Sequence, residues 1–397
     1  MKRVAVIGAG AAGCFCAATL RELAPELSVT VYEAAQKPLE KVAVTGGGRC
    51  NLSNSFEGIR SLKEAYPRGE RVMQRALKFF SQEDTIRWFT AHGVPCILQE
   101  DHCWFPKSQD AMDVVNALLS AMKGADIRLR TPATLSVSPV ILSDSEGSLS
   151  VNGTPYDSVV VTTGGIPKDF SLLDVDIVPP VPALFTFTVP DTALRSLMGL
   201  LVDASIGLQG TAFKASGPLL ITDWGFSGPA TLKLSSYAAR HLAEAGYKGT
   251  LAVNWLLKPE NEVRELLAKT AAEHPQKLVS SVHLLPQRLW EHLIRKADLR
   301  EDLRWAELGS KCLNRLVSFL TNDTYPLTGK SKFREEFVTA GGVAIGNIDL
   351  NTLACKKHPG LYFAGEVLDI DAITGGFNLQ AAWSTGYVCA RSIVNSL

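Results

Sequence analysis

The chain has no Cys-x-x-Cys pair and no His-x3-His spacing, although it holds 8 cysteines and 7 histidines among 397 residues. That speaks against a zinc ribbon, a two-histidine metal helix and a disulfide framework. Reduced thiols in a cytoplasmic protein are the simpler expectation. Cys96, His102 and Cys103 come nearest to a metal cluster, but they read as a plain loop, so no metal is expected. No apolar run reaches about 18 residues, so neither a spanning helix nor a membrane partner is expected. Neither charge sign dominates, with 40 basic and 40 acidic residues and a net charge of +0. That argues against nucleic acid as the main partner. Internal repeats and low-complexity tracts are absent, and strand signal starts so close to Met1 that a secretory leader has no room.

What the chain does have is a phosphate-cradling signature at its start. Arg3–Ile7 is a short apolar run of strand character, followed by Gly8-Ala-Gly10-Ala11-Ala12-Gly13 and a helical segment through Leu23. Gly8 suits the tight turn out of the strand, Gly10 lets a pyrophosphate approach the backbone, and Gly13 lets the helix pack close. The first helical N–H groups then face the anion with the positive end of the helix dipole behind them. A second strand, Ser28–Tyr32, ends beside Glu33, where a carboxylate accepts hydrogen bonds from ribose hydroxyls. This unit predicts a dinucleotide site.

Strand and helix alternate through the first third. Ser81 is placed to cap a helix that Gly93 ends, and Ser108 to cap another carrying a stripe at Met112, Val115, Leu118, Leu119 and Met122. Strands are expected at 127–130, 134–142, 148–151 and 157–162, the last a buried-type run ending in Thr163-Gly164-Gly165. Pro179, Pro180 and Pro182 suggest a linker. Short strands follow to about Leu256, interrupted by one helix over 229–243. Helical pattern then covers 262–272, 286–295 and 305–320. Strand character returns over 338–364, and a closing helix spans 377–395. The simplest assembly is an α/β protein whose nucleotide domain is discontinuous, built from residues 1–182 and 336–397. A β-rich insertion would cover 183–257 and 321–335, and a helical insertion 258–320.

Two further motifs carry chemistry. In Thr45-Gly46-Gly47-Gly48-Arg49-Cys50-Asn51-Leu-Ser-Asn54, three successive glycines suit an anion nest and Arg49 supplies a fixed cation. Cys50 reads either as a redox thiol or as a small residue filling space beside a cofactor. In Gly365-Glu366-Val-Leu-Asp369-Ile-Asp371-Ala-Ile-Thr-Gly375-Gly376-Phe377-Asn378, a strand end delivers a carboxylate and a loop leads into the last helix. A helix start there would stabilise negative charge on a cofactor ring. Asp369 and Asp371 read equally as acids of a surface loop.

Together with Thr339-Ala-Gly341-Gly342-Val343, these motifs resemble the BaiN-like (YhiN-like, aminoacetone-oxidase-like) family of FAD-dependent oxidoreductases, two-dinucleotide-binding-domain flavoproteins. The resemblance runs from residue 3 to about 392. Its middle part matches mainly through Thr222-Asp223-Trp-Gly225-Phe-Ser-Gly-Pro229. It implies a glutathione-reductase-like FAD domain with a flattened β-barrel insertion and a small helical domain. Resident FAD, rather than NAD, is the implied nucleotide. The implied cofactor contacts are Gly8, Gly10, Ala11, Ala12, Gly13, Glu33, Lys41, Gly47, Arg49, Cys50, Asn51, Ala133, Thr163, Gly164, Gly365, Glu366, Asp371, Gly376, Phe377 and Asn378. Three positions depart from the family pattern: Asp223 where a histidine is usual, Ala372 for a glycine and Phe377 for a tyrosine.

The expected activity is hydride transfer between a small organic substrate and flavin N5. NAD(P)H, oxygen or another carrier would close the cycle. No second Gly-x-Gly-x-x-Gly appears, so NAD(P)H would bind transiently. Asp223, Asp371 and Cys50 are the candidates for a catalytic group. A tRNA-modifying flavoenzyme and a non-catalytic flavin-loaded sensor remain as alternatives.

Overall fold

The computed structural model describes residues 2–137, 149–166, 174–330 and 338–396. The chain divides into two compact units, Met1–Val181 with Val338–Leu397, and Pro182–Phe337. The first unit is built on a five-stranded sheet of β1 (Arg3–Ile7), β2 (Ser28–Tyr32), β3 (Asp126–Arg128), β4 (Ser158–Val161) and β5 (Leu361–Phe363). Their order is β5-β4-β1-β2-β3, and every pairing is parallel. Val4 lies opposite both Ser158 and Val29, so β1 is central. All four residues of β4 and all three of β5 are buried, as a parallel sheet covered on both faces requires.

Four helices matter for the site: α1 (Ala11–Leu23), α2 (Glu40–Gly48), α3 (Ala111–Ala121) and α4 (Phe377–Asn395). α1 packs against α4, with the rings of Phe15 and Trp383 5.5 Å apart. Their backbones cross closely because position 386 is glycine; a Cβ there would lie 2.7 Å from the Ala12 carbonyl oxygen. The helix start expected at Ser81 carries a full capping box with Asp84. The α3 cap is Asp110 rather than Ser108: the Asp110 carboxylate accepts from the Met112 N–H at 2.8 Å.

Other expectations shift. The proline run does mark the boundary between the two units, at Val181 and Pro182, but it is not irregular chain. Ile177–Ala183 is a strand paired with Val338–Val343 in a two-stranded sheet, where prolines cost few ladder bonds. The expected Gly-rich nest is the kinked end of α2, where Thr45, Gly46 and Gly47 leave helical backbone angles. The helix expected over 229–243 is two, Gly228–Tyr237 and Ala239–Glu244, and that over 305–320 is a single 3-10 turn followed by Ser310–Thr321. The strand expected over 134–142 is seen at Leu135–Val137, its remainder and Ser148 lying outside the described residues.

The second unit holds a seven-stranded antiparallel sheet centred on Leu201–Leu208, Lys214–Ile221 and Gly249–Asn254. Sheet and helices bury one apolar cluster that includes Phe187, Phe226, Trp255, Trp290, Trp305 and Leu316. Inside it sits Asp323, fully buried. Its carboxylate accepts from Lys296 Nζ at 2.5 Å, Trp255 Nε1 at 3.0 Å and the Tyr325 hydroxyl at 2.5 Å. Removing one partner of such a pair strands the other charge, so Asp323→Ala is expected to cost about 3–5 kcal/mol in urea unfolding. A loss below about 1 kcal/mol, the range of exposed pairs, would refute this account.

Candidate functional site

The C-terminal ends of β1, β4 and β5 bring the sequence motifs of the first unit together. Gly8 leaves β1 with φ 105° and its N–H donates to the Tyr32 carbonyl at 2.8 Å. Only glycine fits at 13: a Cβ there would stand 1.9 Å from the Gly8 oxygen. The Thr162 hydroxyl lies 2.9 Å from the Ile7 oxygen and 2.8 Å from the Gly8 oxygen; the Ile7 carbonyl already accepts from the Thr162 N–H at 2.8 Å, so the hydroxyl proton is available to the Gly8 carbonyl. α1 then starts at Gly10 with no side-chain cap, and no atom lies within 4 Å of the place a Gly10 Cβ would occupy. Uncapped first-turn N–H groups facing open space are what a pyrophosphate needs.

Glu33 is half-buried after β2. One carboxylate oxygen accepts from the Ala9 N–H at 2.7 Å and the other from the Ala35 N–H at 2.8 Å. Those bonds fix its orientation and leave lone pairs for ribose hydroxyls. The segment leading to Ala133 runs alongside, with the Thr131 N–H donating to the Glu33 carbonyl at 2.8 Å. Asn152 holds the backbone on either side of Ala133, accepting from the Thr134 N–H at 2.8 Å and donating to the Pro132 carbonyl at 3.1 Å.

β5 delivers Gly365 and Glu366. A Cβ at 365 would lie 2.8 Å from that of Ala12, so the strand end touches the first turn of α1. The Glu366 carboxylate accepts from the Thr339 N–H at 2.7 Å and lies 3.8 Å from Lys41 Nζ. Burial raises the Glu366 carboxyl above its ordinary range, and Lys41 and the Thr339 N–H oppose that rise. Gly164, at the end of β4, faces the same carboxylate, while the Thr163 hydroxyl turns back to the Gly165 carbonyl at 2.7 Å.

The Gly-rich end of α2 leads into Asn51–Asn54, which is tied to the start of α4. Trp383 Nε1 donates to the Leu52 carbonyl at 3.0 Å, the Ser53 hydroxyl to Gln380 Oε1 at 2.6 Å, and Asn54 Nδ2 to the Gly375 carbonyl at 3.0 Å. The Asn51 amide, with its oxygen turned to the Gly376 N–H, accepts from it at 3.3 Å and donates to the Ser53 carbonyl at 3.0 Å. Gly46, Gly47 and Gly48 all have positive φ, and the space beside Gly47 and Gly48 is open. Exposed Arg49 lies over the Phe105 ring, 4.5 Å from its centroid, with Nη1 donating to Gln109 Oε1 at 3.3 Å. Asn378 clamps the preceding loop, accepting from the Ala372 N–H at 2.9 Å and donating to the Ala372 carbonyl at 3.0 Å. Phe377 is buried edge-on against Phe56, ring centroids 5.1 Å apart.

The three catalytic candidates fall in different settings. Asp371 is fully buried, and both its oxygens accept from Arg68. Cys50 is fully buried, and burial pushes its thiol up to about 12. Asp223 belongs to the other unit, exposed at the turn between Lys214–Ile221 and Gly225–Ser227. Two residues with structural weight here were missed by the sequence patterns. Arg68 meets Asp371 across 303 residues, and the Tyr66 hydroxyl donates to the Phe377 carbonyl at 2.9 Å. No spacing rule links positions so far apart. Among the described residues no group of acidic, histidine or cysteine side chains is arranged to hold a metal, and no helix is long and apolar enough to cross a membrane.

A parallel sheet, a Gly-rich first turn, an acid closing β2 and a Gly-Glu strand end define a dinucleotide-binding unit, and kinship makes the protein an FAD-dependent oxidoreductase. The HI0933-like protein Rossmann domain model matches residues 2–392, and the chain belongs to that family. A ribosomal RNA dihydrouridine synthase of Haemophilus influenzae is 31% identical over 98% of this chain and 97% of its own length. The Escherichia coli protein of the same name is 28% identical, again over 98% and 97%. A 3-dehydro-bile acid delta(4,6)-reductase of Clostridium scindens is 27% identical over 99% of both. Among solved structures, 3-ketosteroid delta1-dehydrogenase from Sterolibacterium denitrificans shares the fold, with TM-score 0.51 and 14% identity over the whole of both chains.

At pH 8 a thiol raised to about 12 by burial is ionised to roughly one part in 10⁴. Native protein treated with iodoacetamide is therefore expected to label half-buried Cys312 well before Cys50, as read by peptide mass mapping. Equal labelling rates would show that Cys50 is not enclosed.

Proposed function

We propose that this FAD-dependent oxidoreductase saturates a carbon–carbon double bond conjugated to a carbonyl group in a small organic substrate. The observation that supports the cofactor half is the uncapped start of α1, open in front of Gly10 and flanked by Glu33 and Glu366. The names of the relatives support the chemical half. Dihydrouridine is uridine with its carbonyl-conjugated ring double bond reduced, and a delta(4,6)-reductase of a 3-dehydro bile acid acts on double bonds conjugated to a ketone. Reduced flavin, when bound, would supply hydride chemistry toward the carbon distal to the carbonyl, with the proton for the adjacent carbon drawn from solvent and a donor such as NAD(P)H as the source of electrons.

The chain's own residues would hold the cofactor. The α1 N–H groups of Ala11, Ala12 and Gly13 would grip the pyrophosphate, Glu33 the adenosine ribose, and the backbone at Ala133 the adenine. Thr163, Gly164, Gly365 and Glu366 would line the diphosphate and ribityl chain, with Lys41 balancing Glu366. The segment Gly47–Asn51 and the start of α4 at Gly376–Asn378 would frame the ring, where the dipole of a 19-residue helix favours negative charge. The second unit would comprise a β-barrel-like part, 183–257 with 321–335, and a helical part, 258–320. The proposed setting is cytoplasmic, which eight cysteines without a disulfide support.

A second reading places the double bond in a uridine of RNA. The relative at 31% identity favours it, and so does an asymmetry hidden in the neutral total. Pro182–Phe337 holds 19 basic and 16 acidic residues, and the rest of the chain 21 and 24.

The test is anaerobic. Holoenzyme reduced with dithionite is mixed with a 3-oxo-4-ene steroid, a uridine-containing ribosomal RNA fragment, or an isolated alkene, and flavin reoxidation is followed by absorbance. A conjugated acceptor is expected to react about a hundredfold faster than the isolated alkene. Reoxidation by RNA alone selects the second reading, and none by any conjugated acceptor sinks both. In the same protein, Glu33→Ala is expected to weaken FAD binding about tenfold to a hundredfold, the worth of a hydrogen bond to a charged group. Unchanged retention of FAD would remove Glu33 from the site.

A further inference from the structure

The loop that precedes α4 is braced from outside by a segment no motif identified. The Ile373 N–H donates to the Ala65 carbonyl at 2.9 Å, and the Tyr66 hydroxyl to the Phe377 carbonyl at 2.9 Å. Gly69 packs so tightly on Ile370 that a Cβ would lie 2.5 Å from its side chain. Between these contacts, Arg68 and Asp371 form a backbone bridge, and the Arg68 fork takes both carboxylate oxygens. The Asp371 side chain is 0% exposed and that of Arg68 14%.

A buried ion pair is a poor source of net stability, because desolvation offsets the attraction. What it does supply is geometry and local charge. A bidentate guanidinium–carboxylate pair fixes both the distance and the plane of its partners. Asp371 also acts on its neighbours: its charge helps to hold the Glu366 carboxyl above its ordinary range. Among the described residues, two ion pairs lie at this place, Lys41 with Glu366 and Arg68 with Asp371. Neutralising Arg68 would take a cation away from a fully buried carboxylate, next to the place proposed for a cofactor that gains negative charge on reduction.

We propose that Arg68 is a positioning residue for the flavin. Through Asp371 it fixes the loop Ile370–Phe377, and its charge lets the site tolerate the reduced cofactor. This rests on the reading that the loop holds the flavin ring.

The test uses full-length FAD-loaded protein and the midpoint potential of its bound flavin. Arg68→Gln is expected to weaken binding of reduced flavin about tenfold more than of oxidised flavin, which lowers the potential by about 30 mV for two electrons. Adding Asp371→Asn removes the matching negative charge as well and is expected to bring the ratio back within about twofold of wild type, under about 10 mV. A merely structural role would lower the melting temperature of both variants and leave the potential alone. An unchanged potential in folded Arg68→Gln, or a fall that Asp371→Asn does not reverse, overturns the proposal. If Arg68→Gln loses its flavin, Arg68→Lys decides, since it keeps the charge without the fork. Faster FAD release at an unchanged potential supports the proposal, and unchanged release overturns it. The underlying reading fails differently: hydrogen exchange of residues 370–377 in the wild type would then show no protection on FAD binding.

Discussion

The nucleotide unit depends on how closely the first turn of α1 approaches the end of β1. A methyl group at position 13 would sit 1.9 Å from the Gly8 oxygen, so any larger residue would lift the helix off the sheet. The same point is crowded from two other directions, by Gly365 at the end of β5 against Ala12 and by Gly386 of α4 against the Ala12 carbonyl. Thr162 makes the crowding affordable, because its N–H donates to the Ile7 carbonyl and its hydroxyl reaches that of Gly8. Three elements therefore converge within one helical turn, and the uncapped N–H groups end up in a fixed place. Glu33 is aligned by the same turn, through its bond to the Ala9 N–H. Anion grip and ribose acceptor are thus set by one steric condition rather than by two independent ones.

Much of this was legible because it is local. Glycine spacing, the acid after β2 and the helical period of α4 each act within about 30 residues. The observed α4, Phe377–Asn395, matches the pattern. The Ser81 capping box is a four-residue signal and formed as written. The proline run at 179–182 marked the boundary between the units, but its strand was hidden, because the partner strand, Val338–Val343, lies some 160 residues away in sequence. Helix interruptions at Ala238 and near Leu308 were hidden as well, since the apolar period continues across both breaks. Arg68 was invisible for the strongest reason: its charge is matched only once the fold brings Asp371 to it across 303 residues.

The tie between the two chain ends has an energetic logic. The Gly46–Asn54 segment has several residues at positive φ, including non-glycine Cys50, a conformation that costs free energy unless its surroundings hold it. Leu52, Ser53 and Asn54 all bond to α4 or the loop before it, through Trp383, Gln380 and Gly375. The long final helix thereby holds a strained loop in register with its own N-terminus. Loop and helix start would meet a bound ring as one rigid frame, so neither needs to order itself when the cofactor arrives.

The state of the buried groups bears on the direction of chemistry. Oxidation of a carbon acid by a flavin calls for a base that can take a proton. Asp371 has both oxygens occupied by Arg68, and burial keeps Cys50 a thiol at neutral pH. Neither is a free base. Delivery of hydride to a carbon already made electrophilic by a conjugated carbonyl places the opposite demand on the protein. It needs a place for negative charge and a source of a proton, not a proton acceptor. A helix start that favours negative charge, and an Asp371 carboxylate already held by Arg68, suit reduction of a polarised double bond better than abstraction from a saturated one.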